Sequence, residues 1–156
     1  MSEPLVNDNA GEIVTANAVV QKMLLADTFS HWLGVETLEI APRRSVIRMA
    51  VRAEMLNGMG SSHGGIVYSL ADSAFSYATN GCGFVCVAID CTVSYPAVVQ
   101  SGDVITAVAV VESSSNKLQF CNVTVRNQHN AIVGHFRGTV YRTLKPHFPD
   151  QEQQRS

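Results

Sequence analysis

Asn57-Gly-Met-Gly-Ser-Ser-His63-Gly64-Gly65-Ile-Val-Tyr68-Ser69-Leu-Ala-Asp72-Ser-Ala-Phe75-Ser-Tyr-Ala-Thr-Asn80 is the stretch around which this chain is organised. It opens as a Gly/Ser loop and turns helical at Gly65. Ile66, Val67, Leu70, Ala71, Ala74, Phe75 and Ala78 recur at three- and four-residue spacing and form one apolar face. Ser69, Asp72, Ser73 and Ser76 form a narrow polar stripe opposite, and Asn80-Gly81 ends the helix. The flanks are small, so neighbouring backbone can approach closely.

The chemistry of the stretch lies where loop meets helix. The first N–H groups of a helix lack internal partners and sit at the positive end of its dipole. Two glycines there leave the Gly64 and Gly65 amides uncovered by side chains, suited to an anion or a polarised carbonyl oxygen. His63 precedes them, and Asp72, the only carboxylate on the helix, follows two turns later. Singly, these residues also read as a turn, a cap and a wet helix face. Together, an electrophilic amide pair, an imidazole and a lone carboxylate suggest acyl transfer.

The wider chain sets bounds. Its 156 residues predict one domain with a real core, and 46% apolar against 15% charged residues predicts surface covered by other subunits. A net charge of −2 gives no case for a nucleic-acid partner. No apolar run approaches bilayer-spanning length, and the N-terminus lacks the basic start and apolar core of a signal peptide, so no membrane is expected and the location reads as cytoplasmic. Cys82, Cys86, Cys91 and Cys121 have spacings that suit neither a zinc site nor a disulfide framework. They read as buried reduced thiols, with no local base or cation to activate one.

Residues 1–15 are polar and read as a flexible N-terminus, 16–144 as the single domain, and 145–156 as a flexible tail. Ala16 to Ala26 predicts a helix, and a short turn through His31-Trp32 stops at Gly34, with His31 in a packing role. Val35–Ile40 and Ser45–Ala53 predict a hairpin. Phe84–Tyr95 follows the central helix, with Val85, Val87, Ile89, Cys91 and Val93 on one side. Val104–Val111, apolar on both faces, reads as an interior strand. Leu118–Asn127 and Ile132–Thr143 complete an antiparallel sheet. The class is α+β with one principal helix, and such a single layer needs a second copy to cover it.

Met55-Leu-Asn57-Gly, His63-Gly-Gly and Leu70-Ala-Asp72-Ser-Ala-Phe-Ser-Tyr-Ala together resemble the phenylacetate-degradation (PaaI-type) branch of the hotdog-fold thioesterases. The resemblance continues in Ala107–Val111, in Val123-Thr-Val-Arg-Asn127 and in Phe136-Arg137-Gly138, so it spans roughly Ala26 to Thr143. It implies a hotdog fold, in which an antiparallel sheet wraps one long central helix, and acyl-CoA thioester hydrolysis without a cofactor or metal. It further implies a homo-oligomer, a tetramer made of two dimers, with active sites shared between subunits.

Carried over by that resemblance, Asp72 activates water or attacks the thioester carbon, and the Gly64 amide holds the developing oxyanion. His63 assists departure of the thiolate, and Asn57 orients water or the carbonyl. The family's animal members have a water-holding Ser where Ala88 stands here, with Thr92 a possible substitute. Gly65 belongs to the same binding loop. Tyr68, Phe75 or Tyr77 would wall the acyl pocket, Asn57, Ser69 or Thr92 would meet a ring hydroxyl, and Lys117, Arg137 and Arg142 are candidates for the CoA phosphates. The acyl group implied is phenylacetyl or ring-hydroxylated phenylacetyl. Two other readings remain, a hotdog hydratase or dehydratase and a non-catalytic acyl-CoA-binding module.

Overall fold

In the computed structural model, which describes residues 8–149, three helices and six strands follow the order α1 (Asp8–Ala26), α2 (Thr28–Leu33), β1 (Glu36–Ala41), β2 (Arg44–Ala50), α3 (Gly64–Asn80), β3 (Phe84–Ser94), β4 (Val104–Ser114), β5 (Leu118–Arg126) and β6 (Ile132–Pro146). One antiparallel sheet runs β1-β2-β4-β5-β6-β3, and α3 lies across one face of it. This is the sheet around a helix that the sequence predicts.

Period-two alternation gives the sheet its inner face. Ile105, Ala107, Ala109 and Val111 of β4, and Cys121, Val123 and Val125 of β5, point to the helix and are buried, as are Leu70, Ala71, Ala74, Phe75 and Ala78 of α3. Close approach depends on two glycines of β6. A Cβ at Gly138 would lie 2.6 Å from the Phe75 ring, and one at Gly134 would lie 2.9 Å from Val67. A side chain at either position would push the sheet off the helix.

Three differences from the sequence reading bear on the site and its surroundings. α1 begins at Asp8 rather than Ala16, because the apolar stripe read from the sequence, Val19, Val20, Met23 and Leu24, lies in its later turns. β6 continues to Pro146, where Phe84 pairs with Pro146 and His147 N donates to Gly83 O at 2.9 Å. A proline is tolerated at the end of a ladder, where its missing N–H is not needed. Residues 145–149 are therefore placed, while 150–156 and 1–7 lie outside the described residues.

The third difference is in β3. The pairing with β6 shifts register between Ala88 and Asp90. This bulge puts Val87 out of phase with Cys91: Val87 stands opposite the exposed Tyr141, whereas Cys91 stands opposite Gly138 on the helix side. Val87 and Ile89 are accordingly 51% and 59% exposed on an edge strand, and the residues of β3 that pack against the core are Cys86, Cys91 and Val93, so Val85 leaves the inner face as well.

Candidate active site

The loop before α3 is held by Asn57. Its Oδ1 accepts from Met59 N at 2.8 Å and from Ser61 N at 3.3 Å, and its Nδ2 donates to Ser61 Oγ at 3.1 Å. Such self-bonding is what asparagine offers a tight loop. Gly60 completes the turn at φ +81°, a backbone region that favours glycine. Asn57 thus shapes the loop that presents His63.

His63 is the N-cap of α3. Its Nδ1 accepts from Gly65 N at 2.9 Å, which places the proton of the neutral ring on Nε2. The expectation that both glycine amides are uncovered therefore holds for one only. His63 occupies the Gly65 amide, whereas the Gly64 N–H donates to no group among the described residues. Gly64 has its own steric reason to be glycine. Tyr95, one residue past β3, donates its hydroxyl to Gly64 O at 3.0 Å, and a Cβ on Gly64 would come within 3.3 Å of the Tyr95 ring.

Asp72 lies on the flank of α3 that faces β3. Burial raises its carboxyl above the usual aspartate range, and the carboxyl accepts no hydrogen bond among the described residues. Tyr68 stands one turn earlier, beside the Cys91 thiol. Burial, chiefly, pushes the Tyr68 hydroxyl up to about 12, with Cys91 and the Asp72 charge adding to it. The Cys91 thiol is likewise pushed up, mainly by burial and further by Asp72 and Asp90. The Tyr68 ring meets Phe136 edge-on at 5.5 Å between centroids, which fixes its orientation. A half-dry carboxylate without a proton-relay partner can act as a base towards water or as a nucleophile.

The other candidate residues are distributed unevenly. Ser69 lies on the same helix, its hydroxyl turned back to Gly65 O at 2.6 Å. Phe75 is 1% exposed and packs on Phe136 at 5.4 Å, so it belongs to the core beneath the site. Tyr77 is also buried, with its hydroxyl on Ser30 Oγ at 3.2 Å. Thr92 and Arg137 face each other across the β3–β6 ladder and line a shallow groove with His135, Glu112 and Asn122, on the sheet face away from α3. Lys117 sits at the tip of the β4–β5 hairpin, and the Arg142 guanidinium lies 5.5 Å from the Phe84 ring.

The structure therefore gathers His63, Gly64, Gly65, Tyr68, Ser69 and Asp72 along the start of α3 and adds Cys91 from β3 and Tyr95 from just beyond it. Sequence reading missed these two, although a tyrosine directly before the strand-breaking Pro96 is a signal that the chain holds an aromatic ring at a strand end. His31 is exposed, and its Nε2 lies 2.8 Å from Leu24 O, so it ties two turns together by a hydrogen bond rather than by packing. Among the described residues no group of three His, Cys, Asp or Glu suits a metal ion, and no helix is long and apolar enough to cross a membrane.

Comparison with known proteins agrees with this geometry. The sequence model of the thioesterase superfamily matches residues 59–133, which include the N-terminus of α3, Asp72 and Tyr95. The chain is 36% identical over 116 residues to Escherichia coli acyl-coenzyme A thioesterase PaaI, covering 74% of this chain and 83% of that protein. The chain belongs to the thioesterase superfamily. It is a thioester hydrolase of the PaaI type, with the hotdog fold. The solved E. coli PaaI structure, a protein of the phenylacetic acid degradation operon, superposes with a TM-score of 0.84 at 33% identity, covering 86% of this chain and 97% of that one. Human acyl-coenzyme A thioesterase 13 is a more distant thioesterase relative, 29% identical over 113 residues, covering 70% of this chain and 81% of that one.

Proposed function

We propose that this thioesterase hydrolyses phenylacetyl-CoA, or its ring-hydroxylated forms, to the free acid and CoA in aromatic catabolism, and that it works as a homotetramer made of two dimers. The observation that carries the catalytic part is the unpaired Gly64 amide at the N-terminus of the helix that also bears the half-buried Asp72. An oxyanion donor must stand about 3 Å from the reacting oxygen. Along a helix rising about 1.5 Å per residue, Gly64 and Asp72 are separated by roughly 12 Å. One thioester carbonyl cannot touch both in the same subunit.

Each site would then combine the Gly64 amide of one subunit with Asp72 of the partner subunit. The bare apolar edge of β3, which runs beside Asp72, supports pairing of two copies there about a two-fold axis. In that site Asp72 activates water or attacks the carbonyl carbon, and the Gly64 amide takes up the negative charge on oxygen. His63, with its proton on Nε2, would assist departure of the thiolate by donating a hydrogen bond to the sulfur, the proton itself coming from water. Asn57 acts by holding the loop. The rings of Tyr68 and Tyr95 favour a flat acyl group, since each offset or edge-on aromatic contact contributes about 0.5–1.5 kcal/mol beyond burial.

The test is release of free thiol from four esters measured side by side. The expected order of kcat/KM is hydroxyphenylacetyl-CoA, phenylacetyl-CoA, then acetyl-CoA and palmitoyl-CoA. Preference for either aliphatic ester would overturn the aryl substrate. Absence of thiol release from all four would overturn the whole proposal.

A further inference from the structure

At the opposite end of α3 from the candidate active site, the chain leaves the helix at Asn80, turns through Gly81-Cys82-Gly83 and enters β3. Gly83 lies at φ +91°, so a glycine sits where the turn must fold back. The turn carries the Sγ atoms of Cys82 and Cys86 to 3.7 Å from each other. Gln119 of β5 reaches both, its Nε2 at 3.6 Å from Cys82 Sγ and 3.3 Å from Cys86 Sγ. Asn80 brackets the second cysteine, with Oδ1 accepting from Cys86 N at 2.9 Å and Nδ2 donating to Cys86 O at 3.3 Å. Cys82 is exposed and Cys86 is half-buried behind it.

We propose that Cys82 and Cys86 are a redox-active thiol pair that closes to a disulfide on reaction with a hydroperoxide, Cys82 attacking and Cys86 resolving. The Cys82 thiolate attacks the peroxide O–O bond and expels the alkoxide, which leaves as the alcohol and leaves a sulfenic acid on Cys82. The Cys86 sulfur then attacks the Cys82 sulfur. The S–S bond forms, the S–O bond breaks, and the hydroxyl departs as water with the Cys86 proton. Two thiols lose two electrons and one hydroperoxide gains them, giving one alcohol and one water.

The division of roles follows from position. Cys82 meets solvent first, and Cys86 has its sulfur already in contact with the product sulfur. A disulfide needs a separation of about 2.05 Å, so the turn has under about 2 Å to travel, with a glycine on each side of Cys82 to absorb it. Charge supports the same order. The hydrogen bond from the Cys86 thiol, helped by Gln119 and the Arg142 guanidinium against the opposing effect of burial, brings Cys82 down to about 6. Cys86 is pushed the other way, first by that same hydrogen bond and then by burial. Thiolate is the attacking form, so Cys82 is the reactive member at neutral pH. Cys91 and Cys121 have no thiol neighbour among the described residues, and burial keeps both protonated.

The experiment treats the fully reduced protein with graded hydrogen peroxide and follows intact mass and linked peptides. The expected product has lost two hydrogens per chain, contains a Cys82–Cys86 link, and returns to the starting mass with a dithiol reductant. Cys86→Ser should stop at a sulfenic acid on Cys82 that a 1,3-diketone traps, whereas Cys82→Ser should leave Cys86 unoxidised at the same dose. Oxygen addition to the wild-type chain without the link would overturn the proposal. So would a link to Cys91, to Cys121 or to a second chain, or equal reactivity of Cys86 in Cys82→Ser.

Discussion

The two edges of the sheet are built on different plans. β1 is six residues long, and its carboxylates are tied down, Glu36 to Arg48 at 2.8 Å and Glu39 to Arg44 at 2.9 Å. α1 packs against it, and Asn17 Nδ2 donates to Ile40 O at 3.2 Å. β3 is eleven residues long, its one charge is Asp90, and it takes part in no ion pair among the described residues. A sheet edge is a template for further pairing unless charge, brevity or a covering element blocks it. One edge here is blocked by all three, whereas the other has a single charge to guard its eleven residues. The unblocked edge is also the one beside Asp72, so the proposed shared site makes assembly a condition of activity.

The largest expected effect comes from breaking that edge. Val87→Lys combined with Ile89→Lys should reduce the assembly to single chains in sedimentation equilibrium. Hydrolysis should fall by about a thousandfold or more, because separated subunits lose both oxyanion donor and base from each other's sites. Leu38→Lys on β1 is the control and should change neither. A single-chain mass with full turnover would sever assembly from activity.

Asp72→Asn should lower kcat by about a hundredfold or more while leaving the assembly intact. It should also raise the melting temperature at neutral pH. The carboxyl of Asp72 is raised by burial, so the fold favours its protonated form. That contribution to stability is complete below the unfolded-state value and is lost as pH rises through the folded one. The thermal advantage of the variant should therefore vanish on acidification below the ordinary aspartate range. Wild-type hydrolysis should rise with pH through a midpoint above that range. A variant that melts below wild type at neutral pH would show Asp72 to be held by partners rather than strained by burial.

Gly138→Ala attacks the junction where β6 passes beneath Phe75 and meets β3. Overpacking of this kind costs about 1–3 kcal/mol, to be read as a lower urea midpoint at unchanged slope. Unchanged stability would mean that the Phe75 ring has room to move. The smallest effect belongs to the guarded edge. Glu39→Ala should cost less than about 0.5 kcal/mol, since both partners of that pair are largely solvated, with side chains 47% and 40% exposed.

What was legible in the sequence were features with a local period. The apolar stripe of α3, its loop-to-helix start, the alternation of β2, β4, β5 and β6, and the lone carboxylate at Asp72 all repeat or stand out within a few residues. What escaped depends on partners distant in sequence or on one extra residue. The bulge in β3 breaks the alternation that placed Val87 and Ile89 inside. Tyr95 reaches Gly64 across 31 positions, and Gln119 reaches Cys82 across 37. The cation missing from the neighbourhood of Cys82 in sequence is Arg142, supplied by β6. Phe75 was assigned to the pocket by resemblance, although the helical period had already put it on the apolar face that the sheet covers.

The position of β3 also bears on the order in which the protein can be made. β3 joins the sheet solely through β6, the last strand of the chain. A ribosome that has released everything up to β5 has delivered the Gly64 loop, Asp72 and Tyr95, but not the strand that docks β3. Until β6 emerges, both long sides of β3 lack partners, and its apolar residues are open to chaperones or to neighbouring nascent chains. Pairings of such long sequence separation also form late in refolding. The edge beside the proposed site is thus the one that waits for the final segment.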